Sequence, residues 1–163
     1  MASYRLIFGI IVGIVFSFFT VFFFNIMSII DNIKIYAGDS LIRTITILLG
    51  ANFDFDMISF LFFEGTPSVI GFFAPELLAW IFIGYISGTI AKGLRRGIIT
   101  SIIVVILVLL IFIISSIFSG VDLMALFTEQ LIETLGGIIS GLVGALLGGL
   151  IGGAISGPFE EIY

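Results

Sequence analysis

The chain has 163 residues, of which 60% are hydrophobic and only 10% charged, with a net charge of −5 and a mean hydropathy of +1.36. A soluble domain is about 45–50% apolar and about 25% charged, so this chain has too little charge to cover a water-facing surface and falls in the membrane class. Histidine and cysteine are both absent, which excludes disulfides, thiolate nucleophiles, histidine bases and most zinc, copper, haem and iron–sulfur ligation.

The length accommodates one membrane domain, 1–163, without a soluble module of ordinary size. After "MASYR", residues 6–30 carry no charge. At about 1.5 Å per residue they reach roughly 37 Å, enough to cross a hydrocarbon core of about 30 Å. A signal peptide has a shorter apolar region, about 7–15 residues, and a small-residue cleavage site. Here the run ends in bulky "FSFFTVFFFNIM", so a retained anchor helix is expected.

Residues 31–74 form the one sizeable segment that does not read as a simple crossing. In "DSLIRTITILLG", Leu41, Ile42, Ile45, Leu48 and Leu49 recur at helical spacing, with Asp39 or Ser40 to cap the start and Gly50 to end it. That pattern predicts a short helix lying in the membrane interface. The alternating, β-branched "TITI" leaves a strand open. The following "FDFDMISFLFFEGTPS" is too apolar for a free loop and is expected to pack on helix ends or dip into the headgroups.

"PELLAWIFIGYISGTIAKG" gives a second span, about 75–92. Pro75 suits a first helical position and Glu76 the positive end of the helix dipole. A start near Ser68 is the alternative, with Pro75 then kinking the helix. The third span, 97–119, is almost unbroken β-branched residues and leucine; more than 20 uncharged residues outweigh the mild strand preference. In the next link, "VDLMALFTEQLIET", Leu123, Leu126, Phe127, Leu131 and Leu135 fall near one face, a second interfacial helix candidate. A fourth span, 135–157, ends at Gly157-Pro158.

The fold class expected is therefore all-α: a polytopic membrane protein with four transmembrane helices, multi-pass in the cell membrane. Arg5, Lys92, Arg95 and Arg96 fall on the side of the two termini, against only Lys34 and Arg43 on the other. The positive-inside rule makes the first side, and both termini, cytoplasmic. The acids divide oppositely, with only Glu160 and Glu161 inside.

Nine glycines crowd the fourth span, although glycine is roughly 1 kcal/mol worse than alanine in a helix interior. In lipid, helices associate through close backbone approach, which small residues four apart permit. Ser140, Gly144, Gly148, Gly152 and Ser156 make one row. Gly137, Gly141, Ala145, Gly149, Gly153 and Gly157 make the adjacent one. Gly9, Gly13 and Ser17 in the first span, and Gly84 and Gly88 in the second, offer matching surfaces. The double face serves packing of the chain's own four helices, docking onto another subunit or a copy of itself, or both.

No Asp or Glu lies in the middle of a span, which argues against proton-coupled pumps and transporters. A passive path lined by hydroxyls such as Ser17, Thr20, Ser87 and Thr89 stays open, against the plainer reading that each bonds its own helix backbone. Asp54, Asp56 and Glu64 are the best set of oxygen ligands, but "NFDFD" lacks the regular calcium-loop pattern; a solvated loop with Phe53 and Phe55 facing the bilayer is expected instead. Lys92, Arg95 and Arg96 in "KGLRRG" read as a topology determinant in contact with lipid headgroups, a patch too small for nucleic acid. Trp80 and Tyr85 fall within the second span and are expected to pack against other side chains. No catalytic group, metal site or cofactor is indicated. The function expected is a non-catalytic accessory or structural subunit that packs into a larger membrane complex through the glycine-rich fourth helix. A small homo-oligomeric channel or passive transporter is the alternative; an enzyme using the outer carboxylates with a divalent ion is a third class.

Overall fold

The computed structural model describes residues 3–20, 27, 30–31, 34, 40–63, 68–120 and 131–157. The described elements are all helical: α1 (Ser3–Ser17), α2 (Leu41–Gly50), a 3-10 turn (Ala51–Phe53), α3 (Met57–Phe62), α4 (Val69–Phe72), α5 (Pro75–Ala91), α6 (Leu94–Ser119) and α7 (Leu131–Ile155). Three stretches are long and apolar enough to cross a membrane by length and composition: Leu41–Phe62, Leu94–Ser119 and Leu131–Ile155. Tyr4–Ser17 and Pro75–Ala91 are apolar but shorter.

Local sequence explains where these helices start and stop. Ser40 caps α2 by accepting from the Arg43 amide, Asp56 caps α3 by accepting from Ile58 and Ser59, and Ser68 caps α4 by accepting from Gly71. Each cap satisfies N–H groups that a helix start leaves orphaned. Pro75 opens α5 at its first position. A short separate helix precedes it, so Pro75 starts a helix rather than kinking one. Lys92 (φ 53) and Gly93 (φ 90) turn the chain sharply from α5 into α6. Gly120 (φ 74) ends α6 in the left-handed region.

Contacts along α7 fix the directions. Gly144, Gly148 and Gly152 meet, in turn, Leu77 and Trp80, then Ile81 and Tyr85, then Tyr85 and Thr89, so α5 and α7 run parallel. Gly149 meets Gly97 and Ser101, while Gly153 meets Gly93 and Leu94, so α6 runs against both. Gly9 and Gly13 of α1 meet Thr100 and Val104 of α6 in the same order. The starts of α1 and α6 and the ends of α5 and α7 therefore share one end of the bundle. The starts of α5 and α7 and the end of α6 share the other.

The 41–62 stretch does not run straight through this bundle. Thr46 donates to the hydroxyl of Ser119 at the end of α6 (3.4 Å). Gly50, further on, sits against the Phe112 ring. Phe53 then packs on Phe112 and Trp80, and Asp56 returns to Gly136 near the start of α7. Helix α2 thus descends, the 3-10 turn forms the tip, and α3 comes back to the end from which α2 set out. This replaces the expected interfacial helix. It also corrects the expectation that Phe53 faces the bilayer, since its ring is wedged into the core beside Trp80. Phe55 packs instead against Phe60.

On α6 and α7 the side-chain pattern is reversed relative to a water-soluble bundle, whereas α5 buries Leu77, Trp80 and Ile83. On α6 the buried face is Gly97, Thr100, Ser101, Val104, Val105, Val108, Ser115 and Ser116, while Ile99, Ile106, Leu110, Ile114, Ile117 and Phe118 face outward. On α7 the glycines, Ser140 and Ala145 are buried, while Leu147, Leu150, Ile151 and Ile155 face outward. Large apolar groups outside and small ones inside are what lipid favours, because burying a leucine away from lipid tails gains little.

Candidate functional site

The first-span break organises the site. Phe18 and Phe19 donate to Val15 and Phe16 three residues back (3.3 and 2.9 Å), so α1 tightens out of α-helical register at Ser17. The Ser17 carbonyl accepts from Asn52 Nδ2 at 2.8 Å. The same amide donates to the Leu48 and Leu49 carbonyls (3.1 and 3.3 Å), stapling the hairpin tip to α2. The Asn52 backbone carbonyl accepts from Trp80 Nε1 at 2.7 Å. One fully buried asparagine therefore ties α1, α2 and α5 together.

Below this knot the glycines set the spacing. Except for Gly157, which lies past the helix end and meets nothing within 4 Å, the glycines of both rows lie in contact with the same chain's α5, α6 and hairpin tip. Gly144, Gly148 and Gly152 face α5. Gly137 and Gly141 face Phe53 and Trp80, and Gly149 and Gly153 face the start of α6 and the turn before it. The partner surfaces reciprocate: Gly84 abuts the Ala145 carbonyl, and Gly88 the Gly149 carbonyl, where a Cβ would stand 2.7 Å from the oxygen. Such approach lets Cα–H groups point at carbonyls across the interface, each worth about 0.5–1 kcal/mol. On α1, Gly9 lies against the Ser87 carbonyl, where a Cβ would stand at 2.9 Å, and Gly13 lies against Ser87 Oγ and Val104.

Most buried hydroxyls bond their own helix, as is usual for serine and threonine in apolar helices. Ser17 donates to Ile14, Thr20 to Phe16, Ser101 to Ile98 and Ser116 to Phe112, and the partly exposed Thr89 does the same to Tyr85. Ser87, Thr100 and Ser140, all fully buried, have no protein partner among the described residues, and the same holds for Asn52 Oδ1. A buried polar group without a partner costs about 1–3 kcal/mol.

At the hairpin end a cavity of about 380 Å³ is lined by Asp54, Phe55, Asp56, Ser59, Phe60 and Glu133. Glu76, in the first turn of α5, adds a repelling negative charge to Asp54. In the sequence, Asp54 and Asp56 group with Glu64. Glu64 lies outside the described residues, and Glu133 takes its place through the fold. Its signal in sequence is weak, since nothing links positions 54 and 133 until the hairpin folds back on α7. No group of three or more Asp or Glu among the described residues is placed to hold a metal ion.

At the opposite end, Lys92, Arg95 and Arg96 follow one another through the α5–α6 turn. Lys92 and Arg95 are exposed and Arg96 is partly buried. Ser156 Oγ accepts from the Gly93 amide (3.4 Å), holding the end of α7 to this turn. Of the second interfacial helix expected over 121–134, residues 121–130 lie outside the described residues, while Leu131 and Leu135 belong to α7, continuous with the fourth span. The first span beyond residue 20, apart from isolated positions, also lies outside the described residues.

Comparison of the chain with protein-family models, curated proteins and solved structures gave no match.

Proposed function

We propose that the protein is a multi-pass protein of the cell membrane in which α1, α5, α6 and α7 cross, both termini are cytoplasmic, and the 41–62 hairpin enters from outside and returns. We further propose that it is a non-catalytic accessory or structural subunit of a larger membrane complex. The observation that carries this reading is the backbone-to-backbone closure of α5, α6 and α7. Three helices packed this closely form a rigid, inside-out bundle suited to holding a neighbour in place.

Support for the topology is the grouping of helix ends, with the basic Lys92, Arg95 and Arg96 at the same end as the start of α1 and the end of α7. The glycine rows serve the complex indirectly. They fix α7, and the partner meets its outward face, where Leu147 and Ile151 lie one turn apart. Extraction in mild detergent with a terminal tag should bring down larger membrane subunits in fixed proportion. Leu147→Ala combined with Ile151→Ala should release them while the bundle stays folded. A protein that purifies alone as a monomer rejects the accessory role.

A second reading, a small homo-oligomeric channel or passive transporter, draws on the buried hydroxyls of Ser87 and Thr100 that have no protein partner among the described residues. It predicts solute flux through liposomes that contain only the purified protein. A tight bilayer at high protein load rejects it.

A further inference from the structure

We infer that α1 is a hinged gate, and that swinging Ser3–Ser17 away from α5 and α6 admits water to a seam that is shut in this conformation. Three separate observations converge on this helix. The first is the hinge itself. The bonding tightens to three-residue spacing at Phe18 and Phe19, and Asn52 donates to the Ser17 carbonyl, so rotation there leaves that carbonyl with a partner.

The second is the face that α1 turns inward: Gly9, Gly13, Ser17 and Thr20 are the buried positions of this segment. None of these four is a large side chain, so the innermost contacts of α1 are made by backbone and small groups, and parting the helix withdraws only the partly buried Ile10, Ile14 and Phe16 at its flanks. The third lies directly opposite. Ser87 Oγ points at Gly13, while Thr100 sets its methyl against Gly9; both residues are fully buried and neither hydroxyl has a protein partner among the described residues.

Zero exposure of both residues means that no water-sized void touches either hydroxyl, so water reaches them only if the helices separate. Separation therefore satisfies the Ser87 hydroxyl that closure leaves stranded, while closure regains the close backbone approach of Gly9 and Gly13. Each state holds something the other lacks, which is what a two-state element requires. The occupant of the open seam is water.

The absence of cysteine from the chain makes the test direct. Ser87→Cys, Thr100→Cys and Val108→Cys are each made in the full-length protein, reconstituted in liposomes and exposed to a small charged methanethiosulfonate. Val108 is equally buried, within the core cluster that contains Trp80. Ser87→Cys and Thr100→Cys should be modified at least about tenfold faster than Val108→Cys, because only a local opening reaches them. Adding Asn52→Ala should raise their rates further by loosening the hinge. Thr100→Cys carries the comparison if Ser87→Cys does not fold. Rates no faster than that of Val108→Cys overturn the gate: uniformly slow rates mean a shut seam, and uniformly fast ones mean the whole bundle opens. Rates unmoved by Asn52→Ala overturn the hinge.

Discussion

Single residues carry unusual weight here, because backbones touch where most proteins place side chains. Adding one methyl at Gly84 or Gly148 drives it into the Ala145 or Ile81 carbonyl, and backbone cannot step aside as a side chain would. Gly84→Ala and Gly148→Ala should each lower stability by about 1–3 kcal/mol, read from thermal or denaturant unfolding in detergent micelles. Lys92 is the reverse case. It holds φ 53 without being glycine, a conformation that costs an ordinary residue about 1–2 kcal/mol. Lys92→Gly should therefore raise stability in the same assay, by about 1 kcal/mol once the extra freedom of glycine in the unfolded chain is set against it. Trp80 is the only tryptophan and donates to the hairpin tip, so its emission reports whether the tip is seated.

Among the elements, the 41–62 hairpin departs furthest from its expected form. The sequence marks α2 well, since Ser40 and Gly50 bound it as its pattern implied. It does not mark the descent. An apolar helix satisfies an interface and a protein core equally, and the deciding contacts are with residues far along the chain: Trp80, Phe112 and Gly137. The hairpin depends on its caps. Asp56→Ala removes the acceptor of two amides, a loss of about 0.5–2 kcal/mol, and should shift Trp80 emission to the red as water reaches the loosened tip. Asp56→Asn, which retains a cap oxygen, should shift it less. Unchanged emission in Asp56→Ala would show that Phe53 and Asn52 hold the tip without help from α3.

For the whole molecule, length and geometry give different answers about which stretches cross. Length and composition admit Leu41–Phe62 as a crossing segment, whereas its packing returns it to its starting side. Ser40→Cys, Phe63→Cys and Gly120→Cys should all be labelled from one side of sealed vesicles, and Ser156→Cys from the other. Opposite-side labelling of Ser40→Cys and Phe63→Cys would make the segment a true crossing and reverse the topology beyond it.

Composition and hydrophobic run length were enough to expect a membrane chain of long apolar helices, and the i, i+4 spacing was enough to pick out the glycines; that the described residues hold helix at "TITI" as well came from the structure. These are local or additive properties, and each residue contributes to them whatever its neighbours in space. Which surface each glycine row meets, the depth reached by Asn52, the meeting of Glu133 with Asp54 and the stranding of Ser87 and Thr100 were decided by tertiary structure alone. Each depends on segments distant in sequence being brought together by the fold. Apolar patterning in lipid says which residues tolerate burial, but it is close contact between particular helices that selects the partner.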